Sequence, residues 1–207
     1  MIASLAVALL AGCGGGGGDT TAAQLLPTGC RSVPAPPPKQ VHLSRPTSEL
    51  RQPATAVIVT SCGTFRIALD VRRAPKTTSS FANLVRKRVY DGTLFHRIVP
   101  GFVIQGGDPT QTGTGGPGYF VDEPPPQDLD YTRGVVAMAK SPVEPPGRSG
   151  SQFFVVTAAD AGLTPDYALV GKVTSGLEVV RRIEQLGTAG GQPTAPVVIQ
   201  RTRLELG

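Results

Sequence analysis

Tryptophan is absent from this 207-residue chain, and histidine and cysteine are scarce, with two and three copies. His42 and His96 have no ligand-like spacing to each other or to Cys13, Cys30 and Cys62, so the sequence supplies no metal site. Aromatic residues are missing before Phe65; all seven Phe and four Tyr lie from that position onward. The same N-terminal stretch holds a five-glycine run, Gly14 to Gly18, and the proline-rich segment Val33 to Pro38. Such a composition buries too little apolar surface to offset its ordering entropy. Residues 13–53 are therefore expected to form a disordered Gly/Pro-rich tether, and residues 54–207 one domain with a sizeable core. Long apolar runs are lacking too: Ile2 to Leu10 falls well short of the ~20 residues that cross a bilayer. Charge of one sign is nowhere concentrated. The chain carries a net +5; four basic and two acidic residues precede Ala54, which leaves sixteen basic and thirteen acidic residues, a net +3, in the folded part. A mild, dispersed excess without a basic stripe and interleaved aromatics makes no case for nucleic acid, and Arg86-Lys87-Arg88 reads as a solvated helix end.

What the N-terminus does contain is a pattern. Its apolar run ends in Leu10-Ala11-Gly12-Cys13, small residues before a cysteine and then flexible glycines, which resembles the lipobox of bacterial lipoproteins. That resemblance implies removal of residues 1–12 as a signal segment and lipidation of Cys13. The location it implies is the cell membrane, lipid-anchored on the extracytoplasmic face. No Lys or Arg precedes the apolar run, a departure from the usual signal pattern. The 40 residues from Gly14 to Pro53 would reach about 35 Å as a flexible coil, enough to hold a domain clear of a membrane surface. With Cys13 acylated, Cys30 and Cys62 remain as an even pair in an oxidising compartment. A disulfide pinning the tether to the domain and two unpaired structural thiols both stay open.

Beyond Ala54, apolar runs alternate with turn signals. Val57 to Val59 and Phe65 to Leu69 read as strands of a hairpin turning near Cys62-Gly63. Ala74-Pro75-Lys76-Thr77-Thr78 has the look of a helix start, with hydroxyls available to cap free amides. Phe81, Leu84, Val85 and Val89 then fall on one helical face, and Asp91-Gly92 stops the helix. Further strands are predicted around Phe95 to Val99, Phe102 to Gln105, Gly134 to Ala139, Gln152 to Thr157, Ala168 to Val173 and Val197 to Leu206. Leu177, Val180 and Ile183 mark a second short helix, and residues 106–118 are loop by composition. Many strands with two helices predict a mainly β protein, barrel or sandwich.

Several blocks in order carry a more specific signal: Ala74-Pro75-Lys76-Thr77, FHRIVPGFVIQGGD at Phe95 to Asp108, Gly113-Thr114-Gly115-Gly116, Gly134 to Ala139, SGSQFF at Ser149 to Phe154, and Gly171-Lys172-Val173. The chain resembles the cyclophilin family of peptidyl-prolyl cis–trans isomerases over about residues 54–207. The resemblance implies a closed eight-stranded antiparallel barrel capped by two α-helices. It also implies an activity, acceleration of rotation about X–Pro bonds in exported proteins, assisting their folding.

The chemistry explains why an apolar run carries an arginine and a glutamine. Rotation about X–Pro faces a barrier of ~18–20 kcal/mol because amide resonance must be broken. No covalent bond is made or cut, so no nucleophile, metal or cofactor is needed. The catalyst has only to bind the twisted amide better than either planar form. In that state the prolyl nitrogen regains its lone pair and accepts a hydrogen bond, and a guanidinium donates one without titrating. By resemblance that donor is Arg97. The resemblance places Phe102, Val103, Phe154 and Leu163 in the proline pocket. It makes Gln105 and Gln152 the polar groups that hold Arg97 and the substrate backbone, and Ala139, Lys140 and Ser141 the segment along the peptide. Val103 and Lys140 differ from the residues frequent in the family. Gly162 falls where a pocket tryptophan is frequent, Tyr167 where a histidine is, and Val170 replaces a common phenylalanine that would wall the pocket. Tight cyclosporin binding is therefore expected to be weak. The expected partners are proline-containing polypeptides and, through the lipid anchor, the membrane; the protein is expected to be a monomer. A second reading, prompted by the altered wall, is a non-catalytic, chaperone-like binder of proline-containing segments. His96 is read as structural, and Ser151 lacks the pattern of a hydrolase nucleophile.

Overall fold

The computed structural model describes residues 26–207. The expected signal segment, residues 1–12, and the expected lipidation site, Cys13, lie outside these. Within them the chain forms eleven strands and two helices. The first hairpin pairs β1 (Ala54–Thr60) with β2 (Gly63–Leu69), and α1 (Pro75–Arg86) follows. After β3 (Thr93–Leu94) come β4 (Arg97–Val99) and β5 (Val103–Gly106), joined by the Pro100-Gly101 turn. The second half holds β6 (Val121–Asp122), β7 (Val135–Met138), β8 (Arg148–Ser149), β9 (Phe153–Val156), β10 (Leu169–Ser175), α2 (Leu177–Glu184) and β11 (Val198–Leu206).

Nine of the strands make one antiparallel sheet in the order β3-β11-β1-β2-β10-β7-β9-β5-β4, and β6 pairs with β8 separately. The expected closed eight-stranded barrel is corrected here: the sheet curls but its ladder does not close. Its two edges, β3 and β4, are nearly consecutive in the chain, and Phe95-His96 carries the backbone from one to the other. Phe95 has its amide on the Val197 carbonyl at 2.9 Å, and Leu94 bridges Asp108. Beside that crossing, the Leu94–Asp108 pairing stands as an isolated bridge and not as part of a ladder.

The period-2 alternation of the strands sorts side chains between two apolar clusters. Ile98, Ile104, Val136, Met138, Phe153 and Val155 point inward to the main core with α1 and α2. Val103, Ala137, Phe154, Val156 and Leu169 point to the other face and form a second cluster with Tyr131. Val170 is fully buried in the main core, so the expectation that it walls the pocket fails. On β10 it is the neighbouring Leu169 that faces outward.

α1 begins with Pro75 in its first turn, as the sequence suggested, but its hydroxyls do not cap it. Thr78 Oγ1 donates to the Ala74 carbonyl at 2.7 Å and Ser79 Oγ to the Pro75 carbonyl. The free amides of Lys76 and Thr77 are taken instead by the two carboxylate oxygens of Glu123, at 3.0 and 2.7 Å. A charged acceptor is the better partner at the positive end of the helix dipole.

The expected disordered tether is also corrected over its described part. Residues 26–53 have no helix or strand, yet they lie on the domain as a strap. Leu26, Cys30, Val41, Leu43 and Leu50 pack against the main core. Backbone amides of Arg31, Lys39 and Leu43 donate to the carbonyls of Ser61, Pro109 and Pro117 at 2.8–2.9 Å. Cys30 and Cys62 are disulfide-bonded. A segment too poor in apolar residues to fold alone is ordered here because a finished surface supplies the partners it lacks.

Candidate functional site

The outward face of the sheet assembles the site through register. Arg97 on β4 stands opposite Gln105 on β5, Gln105 opposite Phe154 on β9, and Phe154 opposite Ala137 on β7. Directly opposed side chains in such a ladder are about 4.5–5.5 Å apart at Cβ, so this row is continuous. The next row, Val99–Val103–Val156, is apolar. Arginine and glutamine therefore share one edge of a greasy floor, each one residue along its strand from, and so on the face opposite to, the core-facing Ile98 and Ile104.

The Arg97 guanidinium is half-buried. One arm donates from Nη1 to Gln105 Oε1 at 3.4 Å, a long bond, and its Cζ lies 5.7 Å from the centre of the Phe102 ring. Gln105 Nε2 in turn donates to Gln152 Oε1 at 3.1 Å, and Gln152 Nε2 donates to the carbonyls of Gly113 and Gly115 at 2.9 and 3.1 Å. Both glutamines thus spend their amides in one chain that fixes the face the arginine sees. Among the described residues, no other hydrogen bond engages the remaining guanidinium nitrogens.

Phe154 anchors the apolar part. Its ring makes an edge contact with Tyr167, centroids 5.4 Å apart, and lies 6.3 Å from Tyr131. Phe102, Ala139, Leu163 and Tyr167 are partly exposed around it, whereas Val103 is buried beneath as floor. Gly162 has a φ of 63° and nothing within 4 Å of where its Cβ would be, so the place of the family's tryptophan is open ground. The structure thus brings together Arg97, Phe102, Val103, Gln105, Gln152, Phe154, Leu163 and Tyr167. Lys140 sits at the margin, but its ammonium is occupied: it pairs with Asp166 at 2.7 Å, donates to the Glu144 carbonyl at 3.0 Å and lies over the Tyr167 ring. It braces the Ser141 to Arg148 loop rather than facing the cleft as a free charge.

Two residues that sequence reasoning passed over hold the site in place. The Asp108 carboxylate, fully buried, accepts from the Thr110 amide and hydroxyl at 2.8 Å each and from the amides of Gly113 and Gly115 at 2.6 and 3.1 Å. Burial pushes its pKa up, but these four hydrogen bonds outweigh burial and hold it below the ordinary carboxylate value. They wrap the loop that presents the two carbonyls to Gln152. The signal was legible: an aspartate opening a Thr/Gly-rich loop is an Asx-turn composition. The other is Tyr131, whose hydroxyl donates to the Tyr167 carbonyl at 2.6 Å and accepts from its amide at 3.0 Å. Burial first of all raises its phenol to about 12, so it stays a neutral two-way clamp. No local pattern announces a contact across 36 residues. His96 is neighbour to Arg97 but turns its Nδ1 into the protein, where it finds no hydrogen-bond partner among the described residues, and burial chiefly lowers its pKa.

Comparison with known proteins agrees with this geometry. Residues 55–204 match the family described as cyclophilin type peptidyl-prolyl cis-trans isomerase. The chain is 38% identical over 170 residues to peptidyl-prolyl cis-trans isomerase-like 2 of Cryptococcus neoformans, covering 77% of this chain but 29% of that protein. It is also 38% identical over 180 residues to the probable peptidyl-prolyl cis-trans isomerase A of Mycobacterium leprae, covering 76% of this chain and 96% of the relative. A crystal structure of a cyclophilin type isomerase of Cryptosporidium parvum superposes with a TM-score of 0.69 at 30% identity, over 75% of this chain and 99% of that one. A second structure of that protein, in the presence of the dipeptide Ala-Pro, superposes with a TM-score of 0.68. A family match across most of the folded residues, and a curled antiparallel sheet with two helices shared with a solved relative, place this chain in the family of cyclophilin-type peptidyl-prolyl cis–trans isomerases.

Proposed function

We propose that the cleft at Arg97 catalyses cis–trans isomerisation of X–Pro bonds, that its clients are flexible segments of exported proteins, and that lipidated Cys13 holds the enzyme at the extracytoplasmic face of the membrane. One observation carries the catalytic part: a guanidinium with unspent donors stands beside an apolar floor, in one cross-strand row with Gln105 and Phe154. A proline ring seated on Phe102, Phe154, Leu163 and Tyr167 would set its imide nitrogen toward Arg97. The Cryptosporidium relative's structure with Ala-Pro supports a site of this chemistry in the family. As the bond twists, the nitrogen gains a lone pair and the guanidinium donates to it. The planar forms offer no such acceptor, so the interaction is strongest where it lowers the barrier. The apolar surroundings sharpen it.

The open ground at Gly162 favours a second reading, a binder that holds proline segments without turnover. Exchange spectroscopy on an Ala-Pro-containing peptide separates the two, because it measures affinity and interconversion rate in one experiment. Catalysis predicts line broadening between cis and trans resonances at substoichiometric protein. Binding with uncatalysed interconversion would refute the isomerase. Mass measurement of the mature N-terminus tests the anchor: an unmodified chain beginning at Met1 would refute it.

A further inference from the structure

A second cleft, of about 640 Å³, adjoins the first and shares Gln105, Ala139 and Gln152 with it. Its far side is not made by the sheet. Gln40, Val41 and His42 of the strap line it, lying against the Gly113 to Phe120 loop that lines it too, together with the Lys140–Ser141 margin.

These three strap residues are held at both ends. The Lys39 amide donates to the Pro109 carbonyl at 2.9 Å and the Leu43 amide to the Pro117 carbonyl at 2.8 Å. Slightly upstream, Gln111 Nε2 donates to the Pro36 carbonyl at 2.7 Å. Val41 and Leu43 anchor their side chains in the core, while Gln40 and His42 remain exposed. At Gly118 the strap comes so close that an added Cβ would meet His42 Cα at 3.2 Å, with a φ of 91° that already favours glycine. The same loop that the strap grips carries the Gly113 and Gly115 carbonyls bound by Gln152. Wall, loop and the polar chain behind Arg97 are therefore one mechanical unit.

We propose that Gln40, Val41 and His42 form the outer wall of a second subsite and select, by size, the side chain flanking the X–Pro bond. The inference rests on the reading of the Arg97 cleft as the X–Pro site. A peptide held there cannot extend along Ala139 to Ser141 without placing a neighbouring side chain in the adjoining cleft. The imidazole of His42 limits that side chain's reach, and the strap, absent from residues 54–207, makes the limit a property of the N-terminal segment.

The test uses the full chain, with His42→Ala to widen the subsite and His42→Trp to narrow it; an exposed position tolerates both. Two peptide pairs are compared by exchange spectroscopy, one with Ala or Phe before the X–Pro pair and one with Ala or Phe after it. His42→Ala is expected to raise the Phe-to-Ala affinity ratio at least about threefold in one pair, and His42→Trp to lower it by a similar factor, modest against the 10-fold or more that one methylene decides in an enclosed pocket. A strap that merely braces the fold would shift both peptides of a pair together. Unchanged ratios in both pairs would overturn the inference. Wild-type protein that binds with these ratios but does not accelerate exchange would overturn the isomerase reading alone, and failure to bind any peptide would overturn both.

Discussion

In the proposed mechanism, replacing Arg97 by alanine removes the guanidinium that donates to the prolyl imide nitrogen. Deleting a single preorganised donor from an enzyme site costs roughly 10²–10³ in rate, about 2.7–4 kcal/mol. The guanidinium here is half-exposed and tied to Gln105 by a long 3.4 Å bond, so water competes with it and the lower part of that range applies. The expected fall in kcat/KM is therefore about 100-fold. Because the donor is needed only by the twisted state, the loss belongs in kcat, with ground-state peptide affinity changed by less than about threefold. Arg97→Lys keeps the charge but not the fork: one ammonium cannot hold Gln105 and the imide nitrogen in the same geometry, and about a tenfold loss is expected. A protease-coupled assay on an Ala-Pro-Phe peptide gives kcat/KM, exchange spectroscopy supplies affinity, and thermal melting verifies that both variants stay folded. Arg97→Ala with an unaltered melt and a rate within threefold of wild type would refute the mechanism. So would a loss confined to affinity.

Gln152→Leu keeps the shape but breaks the link between Gln105 and the Gly113 and Gly115 carbonyls; about a tenfold loss of kcat/KM is expected, with the larger share of it rescued by Gln152→Asn only if position rather than polarity is dispensable. Cys30→Ser opens a loop of 32 residues, for which chain entropy predicts a loss of about 3.7 kcal/mol, read by urea unfolding; no change in midpoint would refute the strap's role in stability. Asp108 and His96 both have folded-state pKa values below their ordinary 3.8 and 6.5, so in each window the unfolded chain binds more protons and stability rises with pH. Melting temperature should hold above pH 6.5, decline as His96 is forced to charge, and decline again below pH 3.8 as Asp108 is protonated. A melt that improves on acidification across either window would contradict those environments.

Much of the cleft was legible because it lies in short alternating strands. In FHRIVPGFVIQ, core residues Ile98 and Ile104 are in phase with each other, and Arg97, Val103 and Gln105 are in phase on the opposite face; the Pro-Gly turn then fixes the register that makes Arg97 and Gln105 neighbours. Val170 was misplaced because the β10 pairing shifts between Leu169 and Gly171, and an irregularity of one residue decides which side chain faces outward. Glu123 capping α1 and Tyr131 clamping Tyr167 act across 46 and 36 residues, beyond the range of any local pattern. The order of the strap was hidden for the same reason. Its own composition argues for a coil; the carbonyls of Ser61, Pro109 and Pro117, the Gln111 amide, the disulfide to Cys62 and the finished core argue otherwise.

The Cys30–Cys62 crosslink has a mechanical consequence. Tension applied to the chain ahead of Cys30 passes through sulfur into the β1–β2 turn, whose Cys62 carbonyl is also gripped by Arg182 at 2.6 Å. The sheet order separates that hairpin from β9, β5 and β4 by two intervening strands. A pull from the N-terminal side is thus shunted around residues 31–53, and the strap stays slack while the load is borne elsewhere.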